Sequence, residues 1–439
     1  MFTFRLVQDV SREWHAWTTR FPSPPRKVRT MRLSRRNSRA VSLTTAAVLS
    51  LASAPPVSAA ETQRDSVRFA TYNASLHRQS EGELVADLSD GDDEQAQAVA
   101  ENIQRVRPDV LLVNEFDYDE AGRAAELFQR NYLSQGQNGT SGIDYPYRYT
   151  APSNTGVPSG FDLDNDGRSV TDPDEPGYAD DALGFGEFPG QYGMVVYSRY
   201  PIDTDRVRTF REFRWADMPH ALLPTDPETG GDFYSDEELA ALPLSSKSHW
   251  DLPVRVGPGP PVHLLASHPT PPNFGGPEQR NLARNHDEIR FWSDYVSPRA
   301  GDYIHDDRGE RGGLRPGAAF VVAGDLNADP RDGGSHPDAV SQLLDTARVN
   351  ASVRPRSEGG PEAAELQRGA NEEHDGDPAH DTGDFTDDPA PGNLRVDYVL
   401  PSRGLPVRDS GVFWPTTDDP RSEAAATASD HRLVWTDVL

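Results

Sequence analysis

Short apolar runs that each end on a polar or ionisable residue constrain this chain more than any other feature. Val67-Arg68-Phe69-Ala70-Thr71-Tyr72 leads into Asn73, and Val110-Leu111-Leu112-Val113 into Asn114 and Glu115. Met194-Val195-Val196-Tyr197 leads into Ser198, Val262-His263-Leu264-Leu265-Ala266-Ser267 into His268, and Phe320-Val321-Val322-Ala323-Gly324 into Asp325 and Asn327. Each run has the length and composition of a strand bounded by turn residues. Residues 94–106, 119–133, 279–296 and 339–347 between them are helix-like. Strands that alternate with helices predict an α/β protein with its chemistry at the strand ends. No repeat with a period of 20–50 residues is present, which excludes solenoids and propellers.

Two segments, 134–190 and 354–393, are poor in core residues. Strand-like runs resume after each, so both are expected to be surface insertions in one domain over residues 60–439, the second partly disordered. Charge sharpens the functional reading. The 439 residues carry 43 Lys plus Arg against 70 Asp plus Glu, a formal charge of −27. Such a balance disfavours a protein that coats nucleic acid or an anionic membrane. Cys 0 removes disulfides, Cys-based zinc sites and a catalytic thiol together.

Residues 1–59 depart from the rest, with ten basic and two acidic side chains. Residues 60–439 therefore hold a charge of −35. Arg32, Arg35, Arg36 and Arg39 precede an apolar run over residues 40–54, and Val57-Ser58-Ala59 follows it. This order predicts a signal peptide cleaved near Ala59 or Ala60 and a secreted mature chain, the alternative being a basic tail on a cytosolic protein. The apolar run is too short and too rich in Ser and Thr to span a bilayer. Met31 directly precedes the basic stretch, so residues 1–30 allow a true start further downstream. Ser34-Arg35-Arg36 also allows twin-arginine export, although Asn37-Ser38-Arg39 lacks the usual apolar residues.

The strand-end residues Asn73, Glu115, Asp325, Asn327, Asp397, Asp430 and His431 are hard oxygen donors plus one imidazole. Such a set suits Mg²⁺, Mn²⁺ or Ca²⁺, and a divalent ion sharing phosphate oxygens stabilises charge in phosphoryl transfer. Asp325 and Asn327 would face one side of an extended strand. Asp430 and His431 are adjacent, so both serve one site only if the backbone there is irregular.

Tyr72-Asn73, Asn114-Glu115, Ser267-His268, Gly324-Asp325-Leu326-Asn327, Arg395-Val396-Asp397-Tyr398 and Ser429-Asp430-His431 stand in one order along the chain. That order resembles the endonuclease/exonuclease/phosphatase superfamily over residues 66–438, nearly the whole mature chain. The resemblance implies a four-layer α/β sandwich, two mixed β-sheets face to face with helices outside. It implies Glu115 as the main ligand of Mg²⁺ or Mn²⁺, with Asn73 and Asp430 nearby or bridging through water. Asp325 would position or deprotonate the attacking water, and Asn327 would hold phosphate. His431, oriented by Asp397, would act as base or as an electrostatic clamp, and His268 would contact phosphate. Which of Asp325 and the Asp397–His431 pair takes the proton stays open. The family usually has Gln where Asn114 stands, and the loops 245–251 and 268–272 are more elaborate than in most members.

Other residues carry two readings. Lys247, His249 and Trp250 line a substrate pocket, or Trp250 is core and Lys247 solvated. Arg280 and Arg284 share a helix face and reach a substrate phosphate, or pair with neighbouring acids. Asp162, Asp164, Asp166 and Gly167 begin like a Ca²⁺ loop but put Pro173 at its twelfth position, so a solvated acidic loop is the alternative. A cluster of His374, Asp375, Asp377, His380 and Asp381 fits a mobile loop better than a metal patch. The expected function is a secreted, monomeric, metal-dependent hydrolase of phosphomonoesters or phosphodiesters. A secreted nuclease is the alternative, with long nucleic acid disfavoured by charge. From another class comes a catalytically silent calcium- or partner-binding module.

Overall fold

The computed structural model describes residues 66–439; the leader expected over residues 1–59 lies outside them. The chain begins with β1 (Val67–Leu76), α1 (Glu83–Asp87), α2 (Glu94–Val106), β2 (Val110–Phe116), α3 (Arg123–Phe128), β3 (Tyr147–Tyr149) and β4 (Met194–Ser198). Next come β5 (Arg208–Thr209), α4 (Asp236–Ala241), β6 (His249–Val254), β7 (Val262–Ser267), α5 (Arg280–Val296) and β8 (Ala319–Asp325). The last part holds α6 (Ser341–Leu344), α7 (Gly359–Gln367), β9 (Asp397–Pro401), β10 (Val407–Phe413), α8 (Ser422–Ala428) and β11 (Leu433–Val438).

These strands form two mixed sheets, ordered β10-β11-β1-β2-β4-β3 and β5-β6-β7-β8-β9. Each sheet has one parallel pair at its centre, β1 with β2 and β7 with β8. Their side chains divide by alternation into three cores. Phe69, Val110, Leu112 and Val196 meet Trp250, Leu264, Val321 and Val399 between the sheets. Outside the first sheet, Tyr72, Leu111 and Val113 pack on Val99, Ile103 and Ala428 of α2 and α8. Outside the second, Leu265, Phe320 and Val322 pack on Ile289, Phe291 and Trp292 of α5. The result is the four-layer α/β sandwich.

Helix α2 is stopped at both ends by local chemistry. The Asp93 carboxylate accepts the Ala96 amide at 2.7 Å, and Arg107 ends the helix in a left-handed conformation. The helix expected over residues 339–347 is only the single turn Ser341–Leu344, and residues 129–133 continue α3 as a π-turn. Neither insertion is a loose surface loop. In the first, Asn154 and Thr155 are buried, and the Asn154 side chain donates to the carbonyls of Arg211 and Ser245 at 2.8 Å each. In the second, which carries α7, the Thr382 hydroxyl accepts the Asp397 amide at 2.9 Å. Among the described residues no helix is long and apolar enough to cross a membrane.

Topology gathers the reactive residues at one end of the sandwich. The parallel pairs bring the C-terminal ends of β1, β2, β7 and β8 together, with Asn73 paired to Asn114 in register. Strands β9 and β11 run antiparallel to β8 and β1, so their starts lie at the same end, and Asp397 pairs directly with Asp325.

Candidate active site

Three departures from regular strand geometry shape this end of the molecule. Ser75, Glu115 and Asn327 have φ of 48°, 54° and 51°, a region costly for residues other than glycine. The β1–β2 register shifts between Asn73 and Leu76, as at a bulge. Regular alternation would send Asn114 and Glu115 to opposite faces; here Asn114 bridges the two sheets while the Glu115 carboxylate turns towards Asn73. The Asn114 side-chain oxygen accepts from the Asp325 amide at 3.3 Å, and its amide donates to the Ser267 carbonyl at 3.4 Å. Gly324, at φ 152°, lets β8 approach closely, since a Cβ there would lie 2.0 Å from the Ser267 oxygen.

Asp325 is the hub. Its Oδ2 accepts the Asn73 side-chain amide at 3.1 Å, faces His268 Nε2 at 3.3 Å and lies 3.8 Å from His431 Nε2. Its Oδ1 accepts the backbone amide of Asn327 at 2.8 Å. Strand β8 stops at Asp325, so Asn327 does not continue an extended strand as expected. It sits in a left-handed turn, and its side chain donates to the Pro269 carbonyl at 3.1 Å.

His431 Nδ1 lies 2.9 Å from Asp397 Oδ2. The irregular backbone expected at 430–431 is present: β11 starts only at Leu433, and the Ser429 hydroxyl donates to the Asn73 carbonyl while accepting the His431 amide. Burial opposes a charge on His431, but the carboxylates of Asp397 and Asp325 outweigh it and raise its pKa well above the ordinary histidine value. Asp325, equally buried, is nevertheless pulled below its ordinary value by His431 and His268. His268 shifts the other way, lowered by burial and by the nearby Lys247 ammonium.

Glu115 occupies the opposite side of Asn73, whose side-chain amide donates to its Oε1 at 3.0 Å. Burial would raise the Glu115 pKa; His77 and Asn73 more than offset it and hold the carboxyl well below the usual range. Asn73 thus bridges two carboxylates with its NH₂ group. Its oxygen accepts from the Ser75 amide at 3.2 Å. Asp430 stands exposed at the rim, within 3.4 Å of the Ser75 and Ser429 hydroxyls.

Lys247 is 7% exposed, and its ammonium has no hydrogen bond or ion pair among the described residues. Burial lowers its pKa, while the charges of Glu288, Glu115 and Asp325 pull the other way. Helix α5 sets this residue in place: the buried Glu288 carboxylate accepts the amides of Ser246 at 2.8 Å and Thr270 at 2.6 Å. His249 is not brought to the site. Its ring lies about 5 Å from Phe291 and Trp292, and its Nε2 meets the Glu288 carbonyl at 2.9 Å. Trp250 belongs to the core between the sheets. Arg280 pairs with the acid Glu278, whereas Arg284 follows neither reading and gives its donors to the carbonyls of Leu244, Leu183 and Pro243.

Two groups among the described residues bring three ionisable ligands within 4.8 Å of one another: Asp325, Asp397 and His431, and separately Asp162, Asp164 and Asp166. In the second group the amides of Asp166, Gly167 and Arg168 already donate to the carboxylates. His374 and His380 spend ring nitrogens on the carbonyls of Pro391 and Pro355. Reading the sequence missed His77, whose Nδ1 is 2.9 Å from Glu115 Oε2. Its signal was an imidazole just past the end of β1. Glu288 and Thr382 were missed as well; a buried acid in an amphipathic helix and a hydroxyl in an acidic insertion carry no such signal.

A sequence profile described as the Endonuclease/Exonuclease/phosphatase family matches residues 70–431. Among solved structures, an endonuclease/exonuclease/phosphatase from Beutenbergia cavernae is 18% identical, with 85% of this chain and 72% of that chain covered at a TM-score of 0.45. Sphingomyelinase C from Streptomyces griseocarneus is 16% identical, over 86% of this chain and 100% of that one, at 0.43. A mannosyl-6-phosphatase from Bacteroides thetaiotaomicron is 12% identical, over 85% and 99%, at 0.41. No curated protein matches the chain.

Proposed function

The chain belongs to the endonuclease/exonuclease/phosphatase family, and from that premise we propose that it is a divalent-cation-dependent hydrolase of phosphomonoesters or phosphodiesters. The observation that carries the reading is the convergence of Asn73, His268 and His431 on one carboxylate oxygen of Asp325, with the unpaired Lys247 ammonium held nearby by burial. Burial disfavours the Lys247 ammonium against the pull of Glu288, Glu115 and Asp325, and an incoming phosphate would supply a further anion for it.

The residues also fit a cation. Glu115 stays ionised, the exposed carboxylate of Asp430 stands at the rim, and the set is oxygen-rich, as Mg²⁺ and Mn²⁺ require. Glu115 and Asp430 would hold the ion, which when bound draws charge from the phosphoryl oxygens. Water adds to phosphorus and the ester P–O bond breaks. Asp325, ionised and aimed by three neighbours, orients the water and accepts its proton. His431, whose charged form Asp397 and Asp325 favour, clamps the phosphoryl oxygens in this reading, and His268 and Asn327 border the same space. The departing alcohol takes a proton from solvent.

Charge favours small esters over long nucleic acid, since tracking a DNA backbone uses a basic stripe and residues 60–439 hold −35. The leader over residues 1–59 supports export as the mature domain 60–439. The test is a panel of phenyl phosphate, bis-p-nitrophenyl phosphate, phosphocholine diesters and single- and double-stranded DNA, each with Mg²⁺ or Mn²⁺. Turnover of small esters at least tenfold above that of DNA phosphodiesters supports the proposal. Turnover of DNA alone makes the protein a nuclease, and turnover of nothing leaves the silent binding module.

A further inference from the structure

We propose that His77 is a nitrogen ligand for the divalent cation at Glu115, making this a mixed nitrogen–oxygen site that takes Mn²⁺ in preference to Mg²⁺. The inference rests on the cation reading of the site given above. His77 Nδ1 lies 2.9 Å from Glu115 Oε2. That separation is short enough for a hydrogen bond, yet the atoms are not aligned as one, and Nδ1 is buried with no hydrogen-bond partner. Two donors each about 2.1 Å from one ion, at adjacent corners of its shell, stand about 3 Å apart. The pair has the spacing of two ligands more than the alignment of donor and acceptor.

The surroundings hold the imidazole in this attitude. Its ring packs against Tyr192 with centroids 4.6 Å apart. Asp117, two residues beyond Glu115, accepts the amide of Arg78 at 2.7 Å and the amide of Tyr192 at 3.1 Å. One carboxylate just past the end of β2 therefore ties down both the residue after His77 and the residue its ring leans on. An imidazole beside a carboxylate shifts a site from the all-oxygen shell Mg²⁺ prefers towards Mn²⁺ and the later divalent ions. The rival reading is that His77 only hydrogen-bonds Glu115 and never meets the ion.

Pulsed electron paramagnetic resonance of Mn²⁺ bound to the full chain separates the two, with Mn²⁺ and Mg²⁺ affinities measured by calorimetry alongside. The expected result is ¹⁴N modulation of the Mn²⁺ signal in the wild type and its loss in His77→Asn and in His77→Gln. The preference for Mn²⁺ over Mg²⁺ should fall about tenfold or more in both variants. Bound Mn²⁺ without ¹⁴N modulation in the wild type overturns the proposal without any variant. Modulation that survives in either variant also overturns it, assigning the nitrogen to His268 or His431. A wild-type chain that binds neither ion overturns the cation reading itself, and this inference with it.

Discussion

His431 and Asp397 form a buried pair whose worth depends on their acting together. If Asp397 fixes the orientation and charge of His431, removing either should cost nearly as much as removing both. Asp397→Asn and His431→Ala are each expected to lower kcat by about 10²–10⁴, with the double variant little worse than His431→Ala. Losses that multiply in the double-mutant cycle would separate the two residues. Lys247 makes a different prediction. Burial disfavours the charge on Lys247, so Lys247→Met should raise stability by about 1–2 kcal/mol. The same change should lower kcat/KM at least tenfold through loss of the phosphate partner. A variant that is less stable, or equally active, places the ammonium somewhere other than the phosphate site.

Whole elements explain what the sequence could and could not reveal. Apolar runs ending on Asn73, Glu115, His268 and Asp325 were legible because the strands that bear them are buried on both sides, and α2 because a capping Asp and an apolar stripe bound it. Left-handed turns at Glu115 and Asn327 were not legible, since neither residue type demands one. The second insertion was the largest surprise: its composition suggests solvated chain, yet Thr382 holds Asp397 and Phe385 packs on His431 with ring centroids 5.2 Å apart. Its Asp381 gives a pH test. Burial, followed by the charges of Asp329 and Asp332, pushes that carboxyl up to about 8. A folded pKa above the unfolded one makes stability fall as pH rises from about 4 towards 8. Asp381→Asn should therefore gain about 1–3 kcal/mol at pH 8.5 and almost nothing at pH 4.5, by denaturant titration. An equal gain at both pH values would show that Asp381 titrates normally.

At the scale of the whole molecule, the sandwich explains why residues spread from Asn73 to His431 can serve one reaction. Two central parallel pairs and two antiparallel neighbours put six strand ends at one pole, and Asn114 and Asp325 join the sheets there. In the proposed reading the carboxylate-rich pole holds a local cation, and the net charge of −27 disfavours a long polyanion as substrate. The most direct measurement is hydrolysis of bis-p-nitrophenyl phosphate by the full chain and by Asp325→Asn, each assayed with Mn²⁺ or Mg²⁺, after exhaustive chelation, and after the ion is restored. Wild-type turnover is expected to vanish on chelation and return with the ion, and Asp325→Asn to lose at least about 10² in turnover with its fold intact by circular dichroism. Turnover that persists without a divalent ion, or that Asp325→Asn retains in full, would contradict the proposed function.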